Sequence, residues 1–229
     1  MTTKALIIPA AGVGSRMNKD TPKPFLQLGN STILEQTIRR FLPLDGFQEV
    51  LIATSESFLE KAENVLEEVL PPQIKGRCLV GGKTRQESIY NALQKVSATD
   101  LVIVHDAVRP FVKLRHIQHC CNTAEQYGGA VLGVPAKDTI KRIDEQQIIK
   151  ETPSRKFLWQ TQTPQVFQKD LLVRAYQQAI KDNFVGTDDA SLVERLGETV
   201  KMVKGDRSNF KITYPLDLEL AELLIKKDK

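Results

Sequence analysis

Hydrophobic positions along the chain follow two alternating rhythms. Short aliphatic runs at Lys4 to Pro9, Val50 to Thr54, Arg77 to Val80, Leu101 to His105 and Ala130 to Val134 read as strands. Between them, apolar residues recur at the helical period over Ile33 to Leu42, Phe58 to Leu70 and Ser88 to Val96. This βαβα alternation predicts an α/β fold of Rossmann-like type, with a mostly parallel central sheet covered by helices on both faces. Ligands in that architecture gather beyond the carboxyl ends of the strands, so the loops after them are where chemistry is expected.

One region breaks the rhythm. Thr139 to Trp159 is polar, β-like and rich in Lys, Arg and Glu, with Asp144 to Gln147 as a turn between two arms. It reads as a protruding β-arm over about 137–160. An arm of that kind has few neighbours of its own chain, so a second subunit is the expected partner. Beyond it come helical stretches near Lys169 to Lys181 and Asp188 to Leu196, strands at Thr199 to Lys204 and Phe210 to Thr213, and a last helix begun by Pro215, a residue suited to a first helical turn.

The 229 residues, 41% hydrophobic and 26% charged, suit one α/β domain spanning 1–229 better than two small ones. The opening apolar run is too short for a signal peptide or membrane span, and no later segment reaches membrane length, so a cytoplasmic protein is expected. Three cysteines, Cys78 and the pair Cys120–Cys121, form neither a disulfide framework nor a metal spacing, which fits a reducing compartment and ordinary packing. A net charge of +4, with basic residues spread among acidic ones, suits phosphate-bearing ligands without requiring nucleic acid. The chain closes shortly after its last helix, and no second enzyme is expected to be fused to it.

The first strand runs into Pro9 to Met17, P-A-A-G-V-G-S-R-M, which is either only a tight strand-to-loop turn or a loop whose small residues let backbone N–H groups approach phosphate oxygens. It is neither the dinucleotide fingerprint, which needs glycine at Met17, nor a P-loop. Lys23 follows between two prolines, in a stiff segment that fixes where the ammonium points. Alone, Lys23 reads as a solvated lysine; with Arg16 and the glycine loop beside it, it reads as part of a triphosphate cradle. Asp106 ends a strongly apolar strand within H-D-A-V-R-P, where it is either a turn cap or a ligand for Mg²⁺, a hard ion that takes one or two carboxylates plus phosphate oxygens. The string from Gly81 to Ser88, G-G-K-T-R-Q-E-S, is either a plain strand-to-helix turn or a set of backbone and hydroxyl groups for a base and ribose. On the last strand Phe210 and Ile212 face inward and display Lys211 opposite, either as a solvated strand lysine or as a cation at a defined place.

Taken in order, P-A-A-G-x-G-x-R-M, P-K, G-G-x-x-R-x-x-S, H-D-A-V-R-P, D-T-I-K at Asp138 to Lys141, T-D-D-A at Thr187 to Ala190 and N-x-K-I-T at Asn209 to Thr213 resemble the 2-C-methyl-D-erythritol 4-phosphate cytidylyltransferase family over nearly the whole chain. The resemblance implies a nucleotidyltransferase α/β fold, a homodimer formed through a β-arm, CTP as substrate and magnesium as cofactor. It implies Arg16 and Lys23 as cations on the triphosphate and transition state, Asp106 as metal ligand, and Lys211 as a bridge between the two substrates. Ala10, Ala11, Gly12 and Gly14 would contact the nucleotide through the backbone, and Gly81, Gly82 and Ser88 would hold cytosine and ribose. Arg109, Thr139 and Arg155 would bind the acceptor phosphate, the last two from the partner subunit's arm. Pro24, where the family often has glutamine, and Lys83, where it has a polar residue, depart from the pattern.

An acceptor phosphate monoester is already largely a dianion at neutral pH and needs no protein base, so His105 is expected to be a structural neighbour. Three other readings are open to the sequence: a D-ribitol-5-phosphate cytidylyltransferase, disfavoured by Pro9 to Gly12, Asp138 to Lys141 and Arg155; a catalytically silent CTP-binding dimer, disfavoured by the combined presence of Arg16, Lys23, Asp106 and Lys211; and a nicotinamide oxidoreductase, disfavoured by the missing third glycine.

Overall fold

The computed structural model of the protein describes residues 1–12 and 21–227. In chain order its elements are β1 (Lys4–Pro9), β2 (Gln27–Leu28), β3 (Ser31–Thr32), α1 (Ile33–Arg39), β4 (Phe47–Thr54), α2 (Leu59–Val69), β5 (Lys75–Val80), α3 (Arg85–Leu93), β6 (Leu101–Val104), α4 (Leu114–Tyr127), β7 (Gly129–Pro135), β8 (Arg142–Ile143), β9 (Ile149–Glu151), β10 (Trp159–Gln168), α5 (Lys169–Lys181), α6 (Asp189–Arg195), β11 (Val200–Lys204) and α7 (Pro215–Lys227).

A seven-stranded sheet has the order β11-β7-β10-β6-β1-β4-β5. β1 lies at its heart, with Ile7 opposite Leu51 of β4 and Val104 of β6 in parallel register. β10 alone runs against its neighbours β6 and β7. The reason lies in its connection: the chain leaves β7, turns through the small antiparallel β8–β9 hairpin and returns beside β7, without the long crossover that a parallel return requires. Trp159 and Gln160 pair with Pro135 and Val134, so the last two residues of the anticipated arm belong to the main sheet.

Period-two alternation sends side chains to opposite faces of the sheet. Leu6, Ile8, Val50, Ile52 and Ile103 pack against α1, α2 and α4 on one face. Ala5, Ile7, Leu51, Val102 and Val104 pack against α3, α5 and α6 on the other. Helix α4 was not among the segments singled out from sequence; its buried stripe is Ile117, Cys120, Cys121 and Ala124, half of it thiol, and its end is closed by Gly128 at φ 88°.

A smaller cluster, Leu26, Leu28, Ile33, Val108, Phe111, Ile212 and Ala221, lies beneath the loops at the carboxyl end of the sheet. It also explains one correction. Phe210 to Thr213 is not a strand: it pairs with no strand of the described sheets. Its alternation instead reflects local packing: Phe210 stacks on Phe111 at 5.4 Å, Ile212 is fully buried, and the Ile212 N–H donates to the Val108 carbonyl at 3.0 Å.

Candidate active site

Each apolar strand delivers its following loop to the same end of the sheet. After β1 the chain keeps sheet-like contact for one more residue, the Ala10 N–H donating to the Ala53 carbonyl at 2.7 Å, and then opens at Ala11 and Gly12. Gly14 and Arg16 lie outside the described residues. Lys23 begins a single 3₁₀ turn behind Pro22; it is buried, and its Nζ donates to the Thr213 carbonyl at 2.7 Å. The two lysine-bearing segments are therefore joined, although 190 residues separate the bonded groups in sequence.

The loop from β5 to α3 explains its glycines sterically. A Cβ on Gly81 would lie 2.7 Å from Ala11 Cβ, and one on Gly82 would lie 2.3 Å from Glu87 Cβ, so only glycine lets this loop lie against the β1 loop and its own helix. Thr84 caps α3 by accepting from the Glu87 N–H, which starts the helix at Arg85, three residues before the Ser88 start that the periodicity predicts. Ser88 is buried in the first turn. Its hydroxyl accepts from the Gly82 N–H at 3.0 Å and donates to the Thr84 carbonyl at 2.8 Å, so in this structure it braces the loop.

Asp106 is the hub. Its Oδ2 lies 3.1 Å from Lys211 Nζ and 3.2 Å from Arg109 Nε, and its Oδ1 lies 3.7 Å from Arg85 Nε. Burial alone would push its carboxyl pKa up; the opposing charges of Lys211, Arg85 and Arg109 outweigh that and hold it well below the usual carboxylate range. The Asp106 N–H donates to Thr163 Oγ1 at 3.0 Å, and Arg109 is held by the Asn209 carbonyl at 2.8 Å. His105 is fully buried, with Nε2 3.0 Å from the Arg109 carbonyl; a carbonyl only accepts, so Nε2 carries the proton. Burial pushes the His105 pKa down to about 4, leaving a neutral ring edge-on to Phe41.

Two adjoining cavities meet at this hub. The first, about 360 Å³, is lined by Ala10 to Gly12, Lys23, Gly82 and Ser88 among others. The second, about 260 Å³, is lined by Arg109, Thr161 to Thr163, Gln165, Thr187 and Asp188. Arg85, Asp106 and Lys211 border both. The structure thus brings together Ala10, Ala11, Gly12, Lys23, Gly82, Ser88, Asp106, Arg109 and Lys211, with Gly81 immediately behind the first cavity. It does not bring in Thr139 or Arg155. Both are exposed near the β8–β9 hairpin, and Arg155 Nη1 donates to the Lys137 carbonyl.

Arg85, Thr163 and Gln165 were not singled out from sequence. Arg85 stood inside a recognised motif and could have been read as a third cation; Thr163 and Gln165 lie in a polar strand whose antiparallel return carried no signal.

The residues fit magnesium in one manner. Among the described residues no group of three or more His, Cys, Asp or Glu is placed to hold a metal. Asp106 offers one carboxylate facing three cations, a poor site for a bare divalent ion but a suitable one for an ion that arrives with the negative charge of a triphosphate.

A parallel-sheet α/β protein with glycine loops at the strand ends, and two cation-lined cavities sharing one carboxylate, defines a nucleotide-binding protein of the phosphate-transfer class. The chain belongs to the 2-C-methyl-D-erythritol 4-phosphate cytidylyltransferase (IspD) family, whose sequence pattern matches residues 4–227. It is 42% identical over 229 residues to the 2-C-methyl-D-erythritol 4-phosphate cytidylyltransferase of Caldanaerobacter subterraneus subsp. tengcongensis, covering 99% of this chain and 100% of that one. It is also 42% identical to the Clostridioides difficile protein of the same name, over 98% of this chain and 94% of the other. Among solved structures, that of 2-C-methyl-D-erythritol 4-phosphate cytidylyltransferase from Thermus thermophilus aligns with a TM-score of 0.79 at 35% identity, covering 99% of this chain and 100% of that chain. The 4-diphosphocytidyl-2C-methyl-D-erythritol synthase structure from Anaerococcus prevotii aligns with a TM-score of 0.87 at 28% identity, covering 98% and 99%. Among the described residues no helix is long and apolar enough to cross a membrane.

Proposed function

We infer that the protein transfers the cytidylyl group of CTP to 2-C-methyl-D-erythritol 4-phosphate, giving 4-diphosphocytidyl-2-C-methyl-D-erythritol and pyrophosphate, within non-mevalonate isoprenoid synthesis in the cytoplasm. The observation that carries this reading is the pair of adjoining cavities with Arg85, Asp106 and Lys211 on their common border. A reaction joining two phosphates needs such a border, and family membership specifies which two substrates meet there.

The first cavity takes CTP. Backbone groups of Ala10 to Gly12 and Gly82 approach cytosine and ribose, while Lys23, with Arg16 from the neighbouring segment, binds the triphosphate. The second cavity takes the acceptor, its phosphate between Arg109 and Lys211. An oxygen of that dianion forms a bond to the α-phosphorus of CTP as the bond from that phosphorus to the β-phosphate bridging oxygen breaks, and the electron pair leaves with pyrophosphate. Two anions repel on approach, and charge grows on the leaving group. Lys211 offsets the first effect and Lys23 and Arg16 the second; Lys211 and Lys23 do so from positions already held by Asp106 and the Thr213 carbonyl, which need little reorganisation.

Asp106 would hold Mg²⁺, which when bound neutralises charge on the phosphate oxygens. Before substrate arrives, Asp106 keeps Lys211 and Arg109 directed into the site. The neutral His105 takes no proton. A homodimer would bring Thr139 and Arg155 of the partner's hairpin over the acceptor, a reading supported by their exposure and by the exposed apolar residues Ile143, Ile148, Ile149 and Phe157 around them.

The test is pyrophosphate release from CTP and Mg²⁺ with 2-C-methyl-D-erythritol 4-phosphate or D-ribitol 5-phosphate, with an EDTA control. Metal-dependent release with the first acceptor alone is expected. Release with the second alone would reassign the acceptor, and release with neither would leave a nucleotide-binding dimer.

A further inference from the structure

Asp106 is bordered on its Oδ1 side by Arg85, but the two do not close into a hydrogen-bonded pair; Arg85 Nε stays 3.7 Å away. What restrains the guanidinium lies behind it. Arg85 Nη1 donates to Asp189 Oδ2 at 2.9 Å, and Asp189 Oδ1 accepts from the Tyr176 hydroxyl. Asp189 and Tyr176 are each 1% exposed, and the Tyr176 ring stacks on Tyr90 at 5.9 Å and 8°. Neither residue borders either cavity, so neither is placed to touch a ligand there.

Retaining a buried carboxylate carries a desolvation penalty, and packing alone gives no reason for it, since an apolar side chain would fill the space. The neighbourhood is rigidly built around it. Asp189 opens α6 immediately after the capping residue Asp188, whose Oδ2 is held by Gln165 at 2.8 Å, and Gln86 beside Arg85 bonds Phe184 and Gly186. The first turn of α3 is thus tied to the loop before α6, and the cap of α6 is tied to β10, around the Arg85–Asp189 pair.

We propose that Asp189 and Tyr176 are positioning residues for the transfer: they hold Arg85 on the border of the two cavities and keep it from closing onto Asp106, leaving that carboxylate able to receive the metal. Without the Asp189 charge, the nearest carboxylate to Arg85 is Asp106, and a bidentate Arg85–Asp106 pair would compete with the ion. The inference rests on the reading of Asp106 given under Proposed function.

The experiment compares the wild type, Asp189→Asn, Tyr176→Phe, Arg85→Ala and the double variant Arg85→Ala with Asp189→Asn. Each is titrated with Mg²⁺ at saturating CTP and acceptor, and CTP binding is measured by calorimetry with and without Mg²⁺. Asp189→Asn is expected to raise the half-saturating Mg²⁺ concentration about tenfold, as loss of an outer-shell partner does in metal sites. Tyr176→Phe should shift it about threefold in the same direction. Calorimetry should show a smaller Mg²⁺-dependent gain in CTP affinity in both, and the double variant should need no more Mg²⁺ than Arg85→Ala alone. A folded Asp189→Asn protein with the wild-type Mg²⁺ requirement would overturn the proposal. Should that variant fail to fold, an unchanged requirement in Tyr176→Phe would do so. A wild type that binds CTP with Mg²⁺ but turns over neither acceptor would refute the transfer reading, while calorimetry on the variants would still decide the role of Asp189.

Discussion

The segment that carries Lys211 and the arm that carries Arg155 look alike in sequence: both read as β-like, and each presents a cation. The structure treats them in opposite ways. The Lys211 loop lies on a buried floor, with Phe210 stacked on Phe111, Ile212 fully enclosed and the ammonium 3.1 Å from Asp106. The Arg155 segment is exposed, its neighbour Phe157 is 77% exposed, and Arg155 Nη1 donates to the Lys137 carbonyl at the base of the arm. A cation can be held where its own chain surrounds it with packed side chains. Where its chain supplies no such packing, a two-stranded hairpin is only marginally ordered by itself, and placing the charge falls to another surface. The comparison separates site residues that one chain assembles from those that, in the proposed homodimer, await a partner.

Substitutions should divide along the same line. The largest effect is expected for Lys211→Ala: a kcat loss of about 10²- to 10³-fold, the range for removing a donor aimed at developing charge, read by steady-state pyrophosphate release. Near-normal turnover would remove Lys211 from the mechanism. Lys23→Ala and Arg16→Ala should each lower kcat about 10²-fold, with a smaller change in KM for CTP. Arg155→Ala and Thr139→Ala should act differently, raising KM for the acceptor about tenfold with kcat largely kept, because they grip a phosphate present throughout the reaction. Their thermal midpoints should stay near wild type, since exposed substitutions change stability by only about 0.5 kcal/mol. Unchanged acceptor KM in both would detach the hairpin from the site.

The smallest kinetic effect should come from beneath the floor. Ile212→Ala removes buried side-chain volume next to Lys211 and should cost about 2–5 kcal/mol of stability, with a kcat loss of only a few-fold as the lysine loosens. Equal loss of activity in Ile212→Ala and Lys211→Ala would mean that the loop's position matters and the ammonium does not.

How much of this was legible beforehand follows the same physics. Strand β1 and helix α5 were read to the residue because continuous apolar runs and a clean helical period depend only on local pattern. The site loops were legible because glycine, proline and charged residues recur at motif spacing after those strands. The direction of β10 was not, since antiparallel return depends on how the chain closes after the hairpin, and Phe210 to Thr213 gave a strand pattern without a strand because buried loops also alternate. Arg85 stood inside a recognised motif, but its link to Asp189 spans 104 residues and appears only when α3 and α6 are packed together.

Mixing two variants tests the division most directly. Lys211→Ala and Arg155→Ala proteins, each assayed alone at acceptor concentration far below KM, should show little activity. If one subunit supplies the floor and its partner the hairpin, equilibrated equimolar mixtures contain dimers with one intact site, and activity should recover to about a quarter of wild type, the statistical share for a two-fold assembly. Activity no greater than the mean of the two separate proteins would contradict the shared site and confine whatever Arg155 does to its own chain.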